Sequence, residues 1–156
     1  MNLRYEPVTK DNAAAVRALR KAPGQENFVE SVDQCLAEAA QLSCWRPVAI
    51  YDAAQLVGFA MYGLFQEPPA DRVWLDRLLI DAPWQGRGYG RRAMEDLMGR
   101  LQREYHCQTI YLSVVEGNDS AARLYQDLGF AYTGERDLHG ERVMACTRPK
   151  PQRRGA

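Results

Sequence analysis

Residues 85 to 90 read Gln-Gly-Arg-Gly-Tyr-Gly, between the apolar run RVWLDRLLI and a helix-like run. Glycine lets the main chain take positive φ and come close to a ligand without a Cβ in the way. At the start of a helix several N–H groups have no acceptor, and the helix dipole adds partial positive charge. Gly86, Gly88 and Gly90 can therefore form an anion cradle suited to a pyrophosphate, with Arg87, Arg91 and Arg92 screening the phosphate charge. They can equally form a tight turn without a ligand, with Arg91 and Arg92 on a solvated helix face. The spacing is not GxxxxGK[ST], which argues against a nucleotide P-loop. It is not GxGxxG after a first strand either, which disfavours a dinucleotide fold.

Asp76 is the second unusual residue. It sits inside the strand-like run from Arg72 to Ile80. A charge there is costly unless it is paired or functional. Neighbouring strand residues point to opposite faces, so a direct pair with Arg77 is not expected.

The elements that must position these residues follow from periodicity. LRYEPV reads as a first strand. Thr9 or Asp11 caps an alanine-rich helix running to Arg20, and Val32, Cys35, Leu36, Ala39 and Leu42 mark a helix over 31–42. RPVAIYD and QLVGFAMYGLF form an antiparallel hairpin, and RVWLDRLLI is a long strand. Ala93, Leu97, Leu101 and Tyr105 recur every four residues and predict one apolar helix stripe. TIYLSVV is a strand. Asn118 is the N-cap and Gly129 the C′ residue of the next helix, and FAYTGER pairs with RVMACTR. The order β-α-α-β-β-β-α-β-α-β-β predicts an α/β (α+β mixed) fold: a twisted mixed sheet of six or seven strands flanked by about four helices. One domain is expected over 1–148, with 149–156 a flexible basic tail.

Composition narrows the function classes. The chain has 156 residues, 20 basic and 20 acidic, and a net charge of zero. That argues against a nucleic-acid partner drawn by a basic field. No apolar run reaches the roughly 18 residues of a membrane span, and the start lacks a secretory pattern. The four cysteines form no CxxC pair. Reduced thiols, a cytoplasmic location and no metal site are expected.

Two segments together resemble the GNAT superfamily of acyl-CoA-dependent N-acyltransferases. LLIDAPWQGRGYG is similar to that family's fourth strand, proline-containing loop and Q/R-x-x-G-x-G/A pyrophosphate turn. NDSAARLYQDLGF is similar to its asparagine and helix ending in Tyr-x-x-x-Gly-Phe. GQENFVESVDQCLAEA, WRPVAIYD, VGFAMYG and WLDRLLIDAPWQGRGYG further resemble the bacterial spermine/spermidine (diamine) N-acetyltransferases.

The resemblance implies direct acetyl transfer from acetyl-CoA to a primary amine, most naturally a polyamine. It implies Tyr125 as the acid that protonates the departing thiolate. Asp76 is implied as base or substrate carboxylate, with water or another carboxylate as the other candidate for the base. The main chain at Leu78, Leu79 and Ile80 is implied to lie along the pantetheine arm and polarise the thioester carbonyl. Gln85 to Arg91 are implied at the pyrophosphate, and Asn118 and Tyr125 at the cofactor. A polyamine needs carboxylates and aromatic faces, for which Glu26, Phe28, Glu30, Asp76 and Glu116 are candidates and Glu67 and Asp33 could add charge. Family habit implies a homodimer. The alternatives are another acceptor (a protein or peptide amine, an amino acid or a drug) and an acyl-CoA-binding sensor without turnover.

Overall fold

The computed structural model describes residues 1–21 and 31–148. Glu26, Phe28, Glu30 and the 149–156 tail lie outside the described residues. The elements are β1 (Leu3–Pro7), α1 (Ala13–Arg17), α2 (Val32–Gln41), β2 (Trp45–Asp52), β3 (Gln55–Phe65), β4 (Arg72–Ile80), a 3-10 turn (Ala82–Trp84), α3 (Tyr89–Tyr105), β5 (Thr109–Val114), α4 (Asp119–Asp127), β6 (Ala131–Arg136) and β7 (Arg142–Thr147). The strands are ordered β1-β2-β3-β4-β5-β7-β6 in a seven-stranded sheet. It is mixed, because β4 runs parallel to β5 whereas β1–β2, β2–β3, β5–β7 and β6–β7 are antiparallel. The backbone clusters into two compact units, Met1–Gly63 with Leu75–Ala93 and Leu64–Trp74 with Met94–Ala156.

The first unit is built on β1, β2 and β3. Leu3 pairs with Asp52 and Pro7 with Val48, and Trp45 pairs with Gly63, with an irregularity at Ile50/Tyr51. Its core joins Val16 of α1, Val32 and Cys35 of α2, Ala49, Phe59, Met61 and Leu79. Helix α2 opens on a capping box. Ser31 Oγ accepts the Gln34 N–H at 3.1 Å, and Gln34 Oε1 accepts the Ser31 N–H at 2.9 Å.

Helix α1 is shorter than its alanine-rich sequence predicts. Neither Thr9 nor Asp11 occupies the cap; Asn12 does, and its side chain turns back to the Thr9 N–H (2.8 Å) and the Pro7 carbonyl (3.1 Å). At the other end the Arg20 N–H donates to Asp81 Oδ1 at 2.8 Å, and the Ala82 N–H donates to the Arg20 carbonyl at 2.9 Å. A helix this short has little cooperative stability of its own. Main-chain bonds to the end of β4 therefore draw residues 18–20 out of it.

In the second unit β5 and β7 pair from Thr109↔Thr147 to Val114↔Arg142. The start of β4 joins β5 through Val73↔Ile110 and Trp74↔Tyr111. Of the predicted stripe of α3, Ala93, Leu97 and Leu101 are buried and Tyr105 is half-buried; Met94 and Met98 are buried beside them, as are Ile110, Leu112, Val143 and Met144. Among the described residues no helix is long and apolar enough to cross a membrane.

One glycine of β3 sets how closely β4 approaches. A Cβ on Gly58 would lie 2.6 Å from the Leu79 carbonyl oxygen, a backbone atom that cannot swing away. Gly58→Ala should therefore cost about 1–3 kcal/mol in urea unfolding. An unchanged midpoint would show that the strands do not pack this tightly.

Candidate active site

The end of β4 and the start of α3 form a turn fixed from three sides. Asp81, at the exit of β4, donates its N–H to the Val57 carbonyl at 2.8 Å and accepts the Arg20 N–H with its carboxylate. Gln85 Nε2 donates to the Ile80 carbonyl at 2.9 Å, which folds the glutamine back on the strand end. Tyr89, the first residue of α3, is buried, and its phenol donates to Asp52 Oδ2 at 2.5 Å. That bond, with burial and the Asp52 charge, raises the Tyr89 pKa above the usual phenol value; Arg87 acts weakly against it.

Between these anchors Gly86 and Gly88 take φ of +75° and +90°. Among the described residues a Cβ on Gly86 would meet nothing within 4 Å, and one on Gly88 would meet only Met1 Cε at 4.0 Å. Crowding by the described residues does not demand these glycines. The left-handed turn does, and it leaves open space beside the main chain. Gly90 is different, because it lies within α3 and outside the positive-φ set. Arg87 is parked over the Trp84 ring at 5.0 Å, and Trp84 meets Tyr89 edge-on at 5.9 Å.

Asp76 lies on β4 with a mostly buried side chain. Contrary to the expectation from strand alternation, Arg77 pairs with it. Arg77 Nη1 lies 3.2 Å from Asp76 Oδ1 and donates to the Asp76 carbonyl at 2.7 Å. Strand geometry separates Cβ directions, but a long arginine stem can curl back along its own strand. Leu78 is half-buried on β4, and Leu79 and Ile80 are buried. Asp76, Leu78 to Ile80 and Gln85 to Arg91 thus all belong to the first unit.

Tyr125, Asn118 and Glu116 belong to the second unit. Asn118 is the N-cap of α4, and its Oδ1 accepts the Ala121 N–H at 3.4 Å. Glu116 is exposed and faces Arg136 at 3.7 Å. The Tyr-x-x-x-Gly-Phe signature is a helix-ending device. The Phe130 N–H donates to the Tyr125 carbonyl and the Gly129 N–H to the Gln126 carbonyl, both at 3.0 Å, with Gly129 at φ +102°. This is a Schellman motif, and its apolar contact is the edge-on pair of Tyr125 and Phe130, 6.1 Å apart. The half-buried Tyr125 ring is therefore held by the residues that terminate its own helix.

All four cysteines are free. Burial pushes the Cys107 and Cys146 thiols up, away from the reactive thiolate.

The family model described as "Acetyltransferase (GNAT) family" matches residues 13–130. The chain belongs to the GNAT acetyltransferase family. The spermine/spermidine N(1)-acetyltransferase of Bacillus subtilis strain 168 is 44% identical over 148 residues, which is 92% of this chain and 97% of that protein. An acetyltransferase of Thermus thermophilus superposes with a TM-score of 0.75 at 24% identity, over 94% of this chain and 97% of that one. The spermidine N-acetyltransferase of Vibrio cholerae, in complex with CoA and spermine, superposes with a TM-score of 0.72 at 17% identity, over 95% of this chain and 96% of that one.

Acetyl-CoA is the acetyl donor of GNAT enzymes. The β4–α3 turn fits its pyrophosphate. The first N–H groups of a 17-residue helix have no acceptor within the helix, two left-handed glycines leave the main chain uncovered, and Arg87 stands beside them.

Sequence reasoning passed over Asp52 and Asp81, and it argued against the pairing of Asp76 with Arg77 that the structure shows. Only Asp81 carried a local signal, as an acidic residue just before the Ala-Pro turn. Asp52 meets Tyr89 through the fold alone.

The Schellman geometry has a measurable consequence. In Gly129→Ala the new Cβ would be strained at positive φ and 3.3 Å from Cys146 Sγ. The substitution should cost about 1–2 kcal/mol in urea unfolding. Unaltered stability would mean that the signature does not clamp Tyr125.

Proposed function

We propose that this enzyme acetylates a primary amine of a polyamine, spermine or spermidine, by direct transfer. The observation that carries the reading is the 44% identity, over nearly the full length of both chains, to a spermine/spermidine N(1)-acetyltransferase. The fold alone would leave the acceptor open.

Bound acetyl-CoA supplies an activated acetyl thioester. The residue roles are assigned through the family motifs. The main chain of Leu78, Leu79 and Ile80 runs along the pantetheine arm, and an N–H there polarises the carbonyl. Gln85 to Arg91 hold the pyrophosphate. The Gln85 amide is engaged at Ile80 and the Tyr89 phenol at Asp52, so main-chain N–H groups contribute most. Asn118 serves the cofactor while capping α4. The Tyr125 phenol donates its Oη proton to the departing sulfur.

Asp76 faces the amine. Its carboxylate draws an ammonium group close and accepts the proton either directly or through water. Glu26, Phe28 and Glu30 are assigned to the remaining ammonium groups by residue type, with Glu116 as a further carboxylate that Arg136 competes for. The free cysteines support a cytoplasmic setting. The homodimer reading follows family habit, and gel filtration decides it.

Two measurements check this reading. With acetyl-CoA saturating, spermine and spermidine should exceed amino acids, peptides and aminoglycosides in kcat/KM by about tenfold or more. A peptide or aminoglycoside ranking first would replace the polyamine, and no thiol release with any amine would make the chain a sensor. Tyr125→Phe should lower kcat on the order of a hundredfold while acetyl-CoA affinity stays within about twofold. Unchanged turnover would remove Tyr125 as the acid.

A further inference from the structure

The Tyr89 side chain is buried, yet its hydroxyl is spent on a carboxylate distant in sequence. Asp52 ends β2, where it pairs with Gln55 across the hairpin and with Leu3 of β1. Tyr89 opens α3 directly after the two left-handed glycines. The bond therefore joins the first residue of the long helix to the end of β2, a strand paired on both sides. The Trp84 edge contact packs the same ring from the 3-10 side.

A negative charge is a poor neighbour for a phosphate-binding turn. Coulomb repulsion there weakens anion binding, so the carboxylate is not present for its charge. What Asp52 provides is a short acceptor at a fixed point of the sheet. We propose that Asp52 is a positioning residue for the cofactor: by holding the Tyr89 hydroxyl it sets the start of α3, and with it the direction of the N–H groups of residues 88–90. This rests on the reading that the turn receives the CoA pyrophosphate.

The test compares acetyl-CoA with S-acetylpantetheine, which carries the same thioester but no pyrophosphate. The quantity read is the ratio of their kcat/KM values in the full-length enzyme. Asp52→Ala removes the acceptor, Tyr89→Phe removes the donor but keeps the ring, and Asp52→Asn keeps an acceptor without the charge. Thermal unfolding confirms that each variant is folded. Both Asp52→Ala and Tyr89→Phe should lose on the order of five- to tenfold of the preference for acetyl-CoA, through KM, and Asp52→Ala should leave kcat for S-acetylpantetheine unchanged. Asp52→Asn should equal or exceed the unaltered enzyme.

A preference retained in Asp52→Ala and Tyr89→Phe would overturn the positioning role, as would Asp52→Asn falling as low as Asp52→Ala. If the unaltered enzyme shows no preference for acetyl-CoA at all, the pyrophosphate reading itself fails. That outcome is distinct from a failure confined to Asp52.

Discussion

Uncovered main-chain N–H groups at the β4–α3 junction are the constraint on which the first unit depends. They can bind an anion tightly only if they are held still before it arrives, because ordering a loop on binding is subtracted from affinity. Glycine supplies the required φ but also the greatest freedom to lose it. The surrounding bonds offset that freedom. Gln85 ties the turn to Ile80, Asp81 ties the strand exit to Val57 and Arg20, and Tyr89 ties the helix start to Asp52. Even the early end of α1 belongs to this arrangement, since the main chain of Arg20 bonds to Asp81 and Ala82 rather than extending the helix.

The second demand is a carboxylate inside a strand. Asp76 and Arg77 meet it together, as a mostly buried ion pair with an added bond to the main chain. Such a pair contributes little net stability, since desolvation offsets most of the attraction. In the proposed mechanism its value lies in presenting an oriented negative charge to an amine. Arg77 is then part of the arrangement around Asp76 and not a bystander on the opposite face. In the second unit the Schellman motif plays a comparable part for Tyr125, using the helix terminus as the clamp.

Much of this could be read from residue order. The strands, α2, α3 and the caps at Asn118 and Gly129 follow from patterns confined to a few neighbouring residues. Misreadings arose where distant residues decided the outcome. Alanine propensity alone extended α1, while Asp81, sixty-one positions from Arg20, shortened it. Alternation alone separated Asp76 from Arg77, while the flexible arginine stem joined them. Three glycines looked equivalent in sequence, yet only Gly86 and Gly88 are left-handed, and Gly90 is helical. The Asp52–Tyr89 bond was not legible, because nothing local connects a hairpin end with a helix start thirty-seven positions away.

The central claim is that the main chain of residues 86–90 receives the CoA pyrophosphate. Amide NMR of the 15N-labelled protein, titrated with CoA, reads those N–H groups individually. The account predicts that the amides of Gly86, Gly88 and Gly90 move among the most in the spectrum and saturate together. Saturable CoA binding that leaves these three amides in place would contradict it.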